Sequence, residues 1–166
     1  MELAEVEIGL HALVDECWQP HAALATSRSL VFTNRIPADA VARTDRRKLG
    51  IVVTNLLANA AAYTTPGGWV EASTSHDALL AVTDSGPPIP PDQLEQVFAR
   101  LWRGDVARSS TGLHCGIGLA LARSLCEQLA LSLQVMTRAD GAVQFTVANA
   151  ARPAAGITRH ALARCD

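Results

Sequence analysis

The longest regular pattern of apolar positions lies between Asp45 and Thr64. Apolar residues recur there at intervals of three and four, the spacing that places side chains along one stripe of an α-helix. Asp45 precedes the stripe and is a suitable N-cap, because its carboxylate can accept hydrogen bonds from the uncovered amides of the first turn. We predict a central helix whose buried stripe consists of Leu49, Val52, Val53, Leu56, Leu57 and Ala60.

Two amides interrupt this stripe. Asn55 and Asn59 are four residues apart, so their side chains project from the same flank of the predicted helix, at the edge of the apolar stripe. A partly buried amide needs hydrogen-bond partners. The pair therefore either faces a polar ligand or lies in solvent, and this helix alone does not decide between the two.

Shorter patterns on both sides of the central helix predict strands and further helices. A period of two indicates strands, and spacings of three and four indicate helices. Before the central helix we predict an extended piece at 4–8, a helix carrying Leu10, Leu13, Val14, Cys17 and Trp18 that Pro20 bends or ends, and a strand at 29–36 that Pro37 stops. After it we predict strands at 69–75, 78–83, 131–137 and 142–147.

Two more helices are predicted in the second half of the chain. One is opened by Pro90 or Pro91 with Asp92, and its apolar side consists of Leu94, Val97, Phe98 and Leu101. The other starts at Gly116 and carries Leu121, Ala122, Leu125 and Leu129. Residues 103–115, between the two helices, lack periodicity and are predicted to form a mobile loop. The weak patterning of residues 150–166 predicts a flexible tail.

Composition narrows the class of protein. The 166 residues suit one domain, and no apolar run approaches the roughly 18 residues needed to cross a bilayer, so we expect a soluble chain. The first residues contain no basic segment, so no secretory signal is expected. A net charge of −2 without a basic cluster argues against nucleic acid as a partner. The four cysteines form no CxxC or zinc-ligand pattern, which favours a reducing cytoplasm.

Two glycine-containing turns add candidate chemistry. Asp84 ends a predicted strand, and Gly86 would let a flat polar ligand approach the backbone beside that carboxylate. Gly116 and Gly118 open a predicted helix, where uncovered amides at the positive end of the helix dipole can bind phosphates. Each feature alone is also explained by an ordinary turn or by packing. Their order along the chain suits a ligand with a base at one end and phosphates at the other.

Four linked motifs carry a resemblance to a known family. Between about Val31 and Ala148, the chain resembles the ATP-binding catalytic domain of sensor histidine kinases, in the superfamily that includes gyrase B, Hsp90 and MutL. The motifs are NLLANAAAYT at 55–64, similar to the N box; DSGPPI at 84–89, similar to the first glycine box; VFARLWRG at 97–104, similar to the F box; and GIGL at 116–119, similar to the second glycine box.

The resemblance implies a fold and a domain division. The expected fold is an α/β two-layer sandwich of the Bergerat type, with a mixed sheet covered on one face by three helices. ATP would lie between the helices and the loop at 103–115, which would act as a lid. We expect one catalytic domain at 1–149, led by a strand and a helix within 1–29, and a tail at 150–166.

The resemblance also implies a role for each matching residue. Asn59 would hold Mg²⁺ through its side-chain carbonyl, with the ion bridging the phosphate oxygens. Asp84 would accept a hydrogen bond from the adenine amino group. Arg103 would lie near the phosphates as a catalytic residue. The other implied nucleotide contacts are Tyr63, Gly86, Ile89, Phe98 and the backbone of Gly116, Ile117, Gly118 and Leu119.

The resemblance implies that Asn55 is a catalytic residue. Its residue type distinguishes phosphoryl transfer to a protein from hydrolysis of ATP. It stands where the hydrolytic relatives similar to gyrase and Hsp90 keep an acid that activates water. An amide cannot remove a proton from water at neutral pH. The resemblance therefore implies that γ-phosphoryl is transferred from Mg-ATP to a histidine rather than to water.

The accepting histidine is expected on a dimerisation hairpin outside this chain, because none of the histidines lies on a helical hairpin in the family's setting of His followed by an acid. His76 precedes Asp77 but lies at a predicted hairpin tip. The histidines considered as acceptors are His11, His21, His76 and His160, and the fifth, His114, lies in the predicted loop at 103–115. We therefore expect the cytoplasmic domain of a membrane-anchored, homodimeric bacterial sensor that passes phosphoryl to a response regulator. Alone, the domain should be monomeric and inactive as a kinase.

Departures from the family pattern leave two other functions open. Pro88 replaces a second glycine of the first glycine box, and Ala62 stands where many relatives have a basic residue. Loss of ATP affinity would leave a degenerate regulatory module. A protein-serine kinase on the same fold is the other alternative, because fold does not fix function. A hydrolytic ATPase is disfavoured by Asn55 and by the F-box-like segment.

Overall fold

The computed structural model describes residues 5–100 and 116–150, which form a five-stranded mixed sheet, a two-stranded sheet and a layer of helices. The predicted α/β two-layer sandwich is confirmed. Its strands are β1 Glu5–Gly9, β2 Val31–Asn34, β3 Val41–Asp45, β4 Trp69–Ser73, β5 Leu80–Asp84, β6 Leu131–Thr137 and β7 Val143–Asn149. Its α-helices are α1 Leu10–Trp18, α2 Ala22–Ser27, α3 Arg46–Tyr63 and α4 Gly118–Gln128.

The main sheet has the strand order β2-β4-β5-β7-β6. Among the described strands of this sheet, β2 and β4 alone pair in parallel, and α3 lies in the connection between them, as a parallel pair requires a crossover. The other three pairings are antiparallel. Val70 and Ala72 of β4 are fully buried against the helices, whereas Trp69 is exposed, so β4 has one buried face and one open face.

Helix α3 is the central element, as its sequence pattern predicts. Asp45 is its N-cap, and Oδ1 accepts hydrogen bonds from the amides of Arg47 and Lys48, both at 3.0 Å. The predicted stripe is buried throughout, and Ala61 joins it.

Strand β3 was not predicted from the sequence, which indicated no element between Pro37 and the central helix at Asp45. Residues Val41–Asp45 pair antiparallel with β1 before α3 begins. The strand carries only small or polar residues on its buried face, Ala42 and Thr44. Their low hydrophobicity hides the period-two signal on which a strand prediction depends.

The helix expected after Pro90 is also corrected. The chain forms two 3₁₀ helices there, at Pro91–Gln93 and Gln96–Phe98, and Ala99 is already extended with φ −71° and ψ 140°. Val97 and Phe98 are nevertheless buried, as predicted. Leu101, the other end of the expected stripe, lies outside the described residues, as do residues 103–115 and 151–166.

Smaller differences concern the ends of elements. Strand β2 is shorter than the predicted 29–36, because Ser29 adopts a left-handed φ of 55° where the chain turns out of α2. Leu121 is predicted in the buried stripe of α4 but is 43% exposed, whereas Ala122, Leu125 and Leu129 are buried. Within residues 5–100 and 116–150, no helix combines the length and apolarity needed to cross a bilayer.

Candidate functional site

The polar flank of α3 carries both asparagines, each half-buried. Asn55 Nδ2 donates to the Ile51 carbonyl at 2.8 Å, one turn earlier in the helix. This bond fixes the amide and leaves Asn55 Oδ1 to face away from its own helix. Among the described residues, the Asn59 side chain forms no hydrogen bond, so its carbonyl oxygen is available to a ligand.

The start of α4 packs directly against Asn55. An added Cβ on Gly118 would lie 2.5 Å from Asn55 Oδ1, so a larger residue at this position requires the Asn55 side chain or the start of α4 to move. Ile117, the N-cap, provides no side-chain cap, and the first turn of α4 contains no acidic residue. Gly116 has a φ of +66°, which glycine adopts without strain. The first amides of α4 are therefore uncapped beside Asn55, as at helix termini that bind anions.

Asp84 lies at the end of β5 and is almost fully buried, with 3% of its surface exposed. Burial raises the pKa of this carboxyl from 3.8 to about 6, and the hydrogen bond from the Gly86 amide, 2.8 Å from Oδ1, opposes the rise. No Lys, Arg or His of the described segments pairs with it. A buried carboxylate without a counter-charge is costly, so its presence indicates a function.

The turn after Asp84 meets the end of α3. An added Cβ on Gly86 would lie 2.6 Å from Asp84 Oδ1 and 3.0 Å from the Tyr63 carbonyl oxygen, so glycine allows this close contact. The buried Thr64 hydroxyl also faces Asp84 and opposes its pKa rise. This hydroxyl nevertheless makes no hydrogen bond of normal geometry with the described part of the protein. A polar ligand at Asp84 could therefore satisfy Thr64 as well.

Ile89 and Phe98, two apolar residues of the predicted site, pack into the protein. Ile89 is held by Thr137, whose hydroxyl accepts from the Ile89 amide at 3.2 Å and donates to its carbonyl at 3.0 Å. Phe98 is buried edge-on against Phe145, with the Arg123 guanidinium 4.6 Å from its ring centroid. The predicted nucleotide contacts of Ile89 and Phe98 stay predictions.

The structure brings most of the predicted site residues to one flank of α3. At one end lie Asp84, Gly86 and Tyr63, and at the other lie Asn55 and the start of α4, where Ile117 is exposed and Leu119 is partly buried. Tyr63 lies eight positions after Asn55 in the helix, a rise of about 12 Å. The flank therefore suits an elongated ligand with a hydrogen-bonding base and an anionic end. Arg103 lies outside the described residues.

A groove of about 550 Å³ opens beside Asn55 between α1 and α3. Its lining includes Cys17, Arg46, Ile51 and Thr54 in addition to Asn55. Neither Asn59 nor Asp84 lines this groove. The groove therefore borders the Asn55 end of the flank and does not include the Asp84 end.

Two residues near Asp84 and α3 were missed by sequence reasoning. Thr64 is the last residue of the motif at 55–64, but its position in the sequence gives no signal that its hydroxyl is buried beside a carboxylate. Arg28 donates to the Ala61, Ala62 and Thr64 carbonyls from a position more than thirty residues earlier in the chain. No local pattern predicts such a long-range contact.

Comparison with known proteins decides the family. Residues 44–152 match the family described as histidine kinase-, DNA gyrase B-, and HSP90-like ATPase. The chain belongs to this family. Membership of an ATPase family implies nucleotide binding, and the matched region includes the flank of α3, Asp84 and the start of α4.

Individual relatives of this ATPase family agree with the match. The chain is 29% identical over 150 residues to the sensor protein CzcS of Cupriavidus metallidurans, covering 89% of this chain and 31% of CzcS. It is 33% identical over 142 residues to the sensor histidine kinase RppB of Synechocystis, covering 83% of this chain and 31% of RppB. The chain thus spans less than a third of the length of either curated relative.

A solved structure shows the same fold. The nucleotide-free catalytic domain of histidine kinase ThkA superposes with a TM-score of 0.74, covering 90% of this chain and 96% of that chain. The identity is 22%, so this likeness establishes the fold alone. It agrees with the two-layer arrangement of mixed sheet and helices in this ATPase domain.

Proposed function

We propose that this chain is the ATP-binding catalytic domain of a two-component sensor histidine kinase. The observation that carries the proposal is the continuous polar flank of α3, which connects the buried carboxylate of Asp84 to the uncapped start of α4. An adenine nucleotide has the matching sequence of groups, with an amino-bearing base at one end and phosphates at the other. The relatives CzcS and RppB are named a sensor protein and a sensor histidine kinase, which supports this choice within the ATPase family.

Base recognition is assigned to Asp84. Its carboxylate would accept the hydrogen bond of the adenine amino group, and the buried Thr64 hydroxyl lies beside it to bond another polar atom of the base or a bridging water. Gly86 leaves room for the base next to the backbone. Tyr63, at the end of α3, would pack near the nucleoside.

Phosphate binding is assigned to the start of α4. The backbone amides of Gly116, Ile117, Gly118 and Leu119 would donate to phosphate oxygens at the positive end of the helix dipole. The half-buried carbonyl oxygen of Asn59, which is not bonded within the described residues, fits a ligand for Mg²⁺. When bound, Mg²⁺ would neutralise charge on the triphosphate. Arg103 would add positive charge near the phosphates.

Asn55 would keep the site from hydrolysing ATP. Its Nδ2 is committed to the Ile51 carbonyl, and its Oδ1 faces the start of α4, so it positions that helix end. Neither atom can take a proton from water at neutral pH. In the proposed reaction an imidazole nitrogen bonds to the γ-phosphorus while the bond to the β,γ-bridging oxygen breaks, the imidazole proton passes to solvent, and ADP leaves.

The proposed partners lie outside this chain. The phosphoacceptor would be a histidine on a dimerisation hairpin of the same full-length, homodimeric protein. A response regulator would then take the phosphoryl group, and ThkA has been solved in complex with its response regulator TrrA. By analogy with relatives named as sensors, this domain would be the cytoplasmic part of a membrane-anchored bacterial receptor.

A regulatory module without useful ATP affinity is the second candidate. Pro87 and Pro88 favour it, because two prolines remove amides and restrict the backbone directly after the base-binding turn. Calorimetry with a non-hydrolysable ATP analogue and Mg²⁺ separates the candidates. Saturable binding supports the kinase domain, and a flat titration at millimolar analogue would reject it.

A phosphotransfer assay then defines the acceptor. The chain is offered a histidine hairpin from a sensor kinase and, separately, a protein-serine substrate. An acid-labile phosphoryl group on the hairpin is expected, because phosphohistidine hydrolyses in acid. An acid-stable label on the serine substrate alone would replace the proposal with a serine kinase.

A further inference from the structure

Arg28 binds the end of the central helix from outside the nucleotide site. It follows α2, and its guanidinium donates to three backbone carbonyls: Ala61 at 2.7 Å, Ala62 at 2.5 Å and Thr64 at 2.8 Å. The Arg28 carbonyl also accepts from the amide of Gly67 at 2.8 Å. Side chain and backbone of one residue therefore hold the whole segment in which α3 ends and turns toward β4.

These contacts replace a conventional helix cap. The last carbonyls of a helix lack partners within the helix, and many helices satisfy them with a glycine in the left-handed conformation. Helix α3 ends instead at Thr64, whose φ of −58° and ψ of 135° are extended. A permanently charged guanidinium with several donors suits this position, and the helix dipole favours a cation there.

The capped segment is the one that touches the base-binding turn. The Tyr63 carbonyl and the Thr64 Cα lie 3.0 and 3.4 Å from the position of an added Gly86 Cβ, and the Thr64 hydroxyl faces Asp84. Arg28 fixes the Thr64 carbonyl, so it also fixes the position of that hydroxyl and of the wall against which Gly86 lies. A shift of the helix end would move Thr64 relative to the Asp84 carboxylate.

We propose that Arg28 is a positioning residue for recognition of the 6-amino group of a purine nucleotide. It acts through Thr64 and the turn at Gly86 and does not contact the ligand. This inference rests on the proposed nucleotide site, because it assigns base selectivity to Asp84. It predicts that removal of Arg28 lowers selectivity between bases more than it lowers phosphate binding.

The test compares an ATP analogue with its inosine counterpart, both non-hydrolysable and with Mg²⁺, by calorimetry on the full chain. Inosine presents a carbonyl oxygen where adenine has its amino group, so it faces the Asp84 carboxylate with a second acceptor. The wild-type chain should therefore prefer the adenine analogue by about 100-fold, as expected when a buried acceptor loses its donor.

Two variants and a matched control give the decisive comparison. Arg28→Met keeps the aliphatic part of the side chain and removes its hydrogen-bond donors. Arg28→Lys keeps the positive charge but loses the planar guanidinium that donates to several carbonyls at once. Arg35→Met is the control, because Arg35 is exposed and its side chain pairs with Glu71, away from α3. Circular dichroism and thermal unfolding give the melting temperature of each variant. Binding is then measured at a temperature at which every variant is folded.

The expected result is a specific loss of adenine preference. The ratio of dissociation constants should fall about tenfold or more in Arg28→Met and by a smaller factor in Arg28→Lys, with the inosine analogue bound nearly as before and Arg35→Met unchanged. If Arg28→Met is unfolded, the ratio of dissociation constants measured for Arg28→Lys tests the proposal instead. A folded variant that retains the wild-type ratio overturns the role of Arg28. A wild-type chain that binds neither analogue overturns the nucleotide site itself.

Discussion

Gly118 lies so close to Asn55 that an added Cβ would come within 2.5 Å of Asn55 Oδ1. This contact joins the start of α4 to the amide flank of α3. It also explains why a glycine stands at the first position of a helix, where it has no advantage in helix propensity. The contact places the uncapped amides of α4 at one end of the flank, so it defines where phosphates are proposed to bind.

Gly118→Ala should therefore weaken nucleotide binding without unfolding the protein. The new methyl group must displace either α4 or Asn55, which separates the amides from the asparagine flank. We expect the dissociation constant of an ATP analogue to rise about 10- to 100-fold, the effect of losing one or two hydrogen bonds to a charged group.

Gly50→Ala is the matched control for calorimetry of this variant. Gly50 lies within α3, and an added Cβ there would be 3.9 Å from Leu13 Cδ1, an ordinary contact. This substitution should leave binding unchanged and stabilise the helix by up to about 1 kcal/mol. Equal affinities for Gly118→Ala and the wild-type chain would show that the contact has no role in binding.

Asp84→Asn should stabilise the free protein while it removes nucleotide binding. The amide keeps an oxygen for the Gly86 amide but carries no charge, so the cost of burying a carboxylate disappears. The pKa is raised from 3.8 to about 6, so we expect a gain of about 2–3 kcal/mol in the free energy of unfolding at pH 8.

The pH dependence of that gain follows from the direction of the shift. The folded state binds the Asp84 proton more tightly than the unfolded state, so protonation stabilises the wild-type fold below pH 3.8, and this stabilisation is lost as pH rises through about 6. Urea unfolding between pH 5 and 8 should show the advantage of Asp84→Asn shrinking toward low pH. Exposed Asp39→Asn is the control, and an equal response of both variants would contradict burial of the Asp84 carboxylate as the cause.

Asn59→Ala should abolish the part of nucleotide affinity that depends on Mg²⁺. In the wild-type chain, chelation of Mg²⁺ should raise the dissociation constant of the ATP analogue by about tenfold or more, because the triphosphate loses its counter-charge. In the variant, titrations with Mg²⁺ and with EDTA should agree. Asn149→Ala, at the exposed end of β7, should behave as the wild-type chain. A full Mg²⁺ effect in Asn59→Ala would remove Asn59 as a ligand.

Radiolabelled ATP should leave this chain unlabelled unless a histidine hairpin is supplied. His11 Nδ1 is bonded to the Ile36 carbonyl and its Nε2 faces Asp15, and His76 lies in the connection between β4 and β5 beside Asp77. Neither setting points to a phosphoacceptor. Label on the isolated chain, traced by mass spectrometry to one of its own histidines, would contradict transfer to an external hairpin.

The sequence predicted the parts of the site that depend on local spacing. The position of Asn55 and Asn59 on one flank follows from the helical period, and Asp45 is a cap because it precedes that period directly. Contacts between segments that are distant in the sequence could not be predicted. Two such contacts are the burial of Thr64 beside Asp84 and the hydrogen bonds from Arg28 to the end of α3. Both depend on how β2, α3 and β5 pack together.

The missed elements have a related cause. Strand β3 has a weak signal because Ala42 and Thr44, rather than large apolar residues, fill its buried face. The segment around Phe98 kept its predicted burial but formed 3₁₀ turns, because Pro90 and Pro91 restrict its start and Ala99 is extended. Around Phe98 the burial of the side chains was easier to predict than the hydrogen bonding of the backbone.

A crystal structure of this chain with Mg²⁺ and a non-hydrolysable ATP analogue tests the central proposal most directly. It should show the adenine amino group within hydrogen-bond distance of the Asp84 carboxylate, Mg²⁺ next to the Asn59 carbonyl oxygen, and phosphates at the first amides of α4. A nucleotide bound elsewhere, or one whose base does not contact Asp84, would contradict the proposed site.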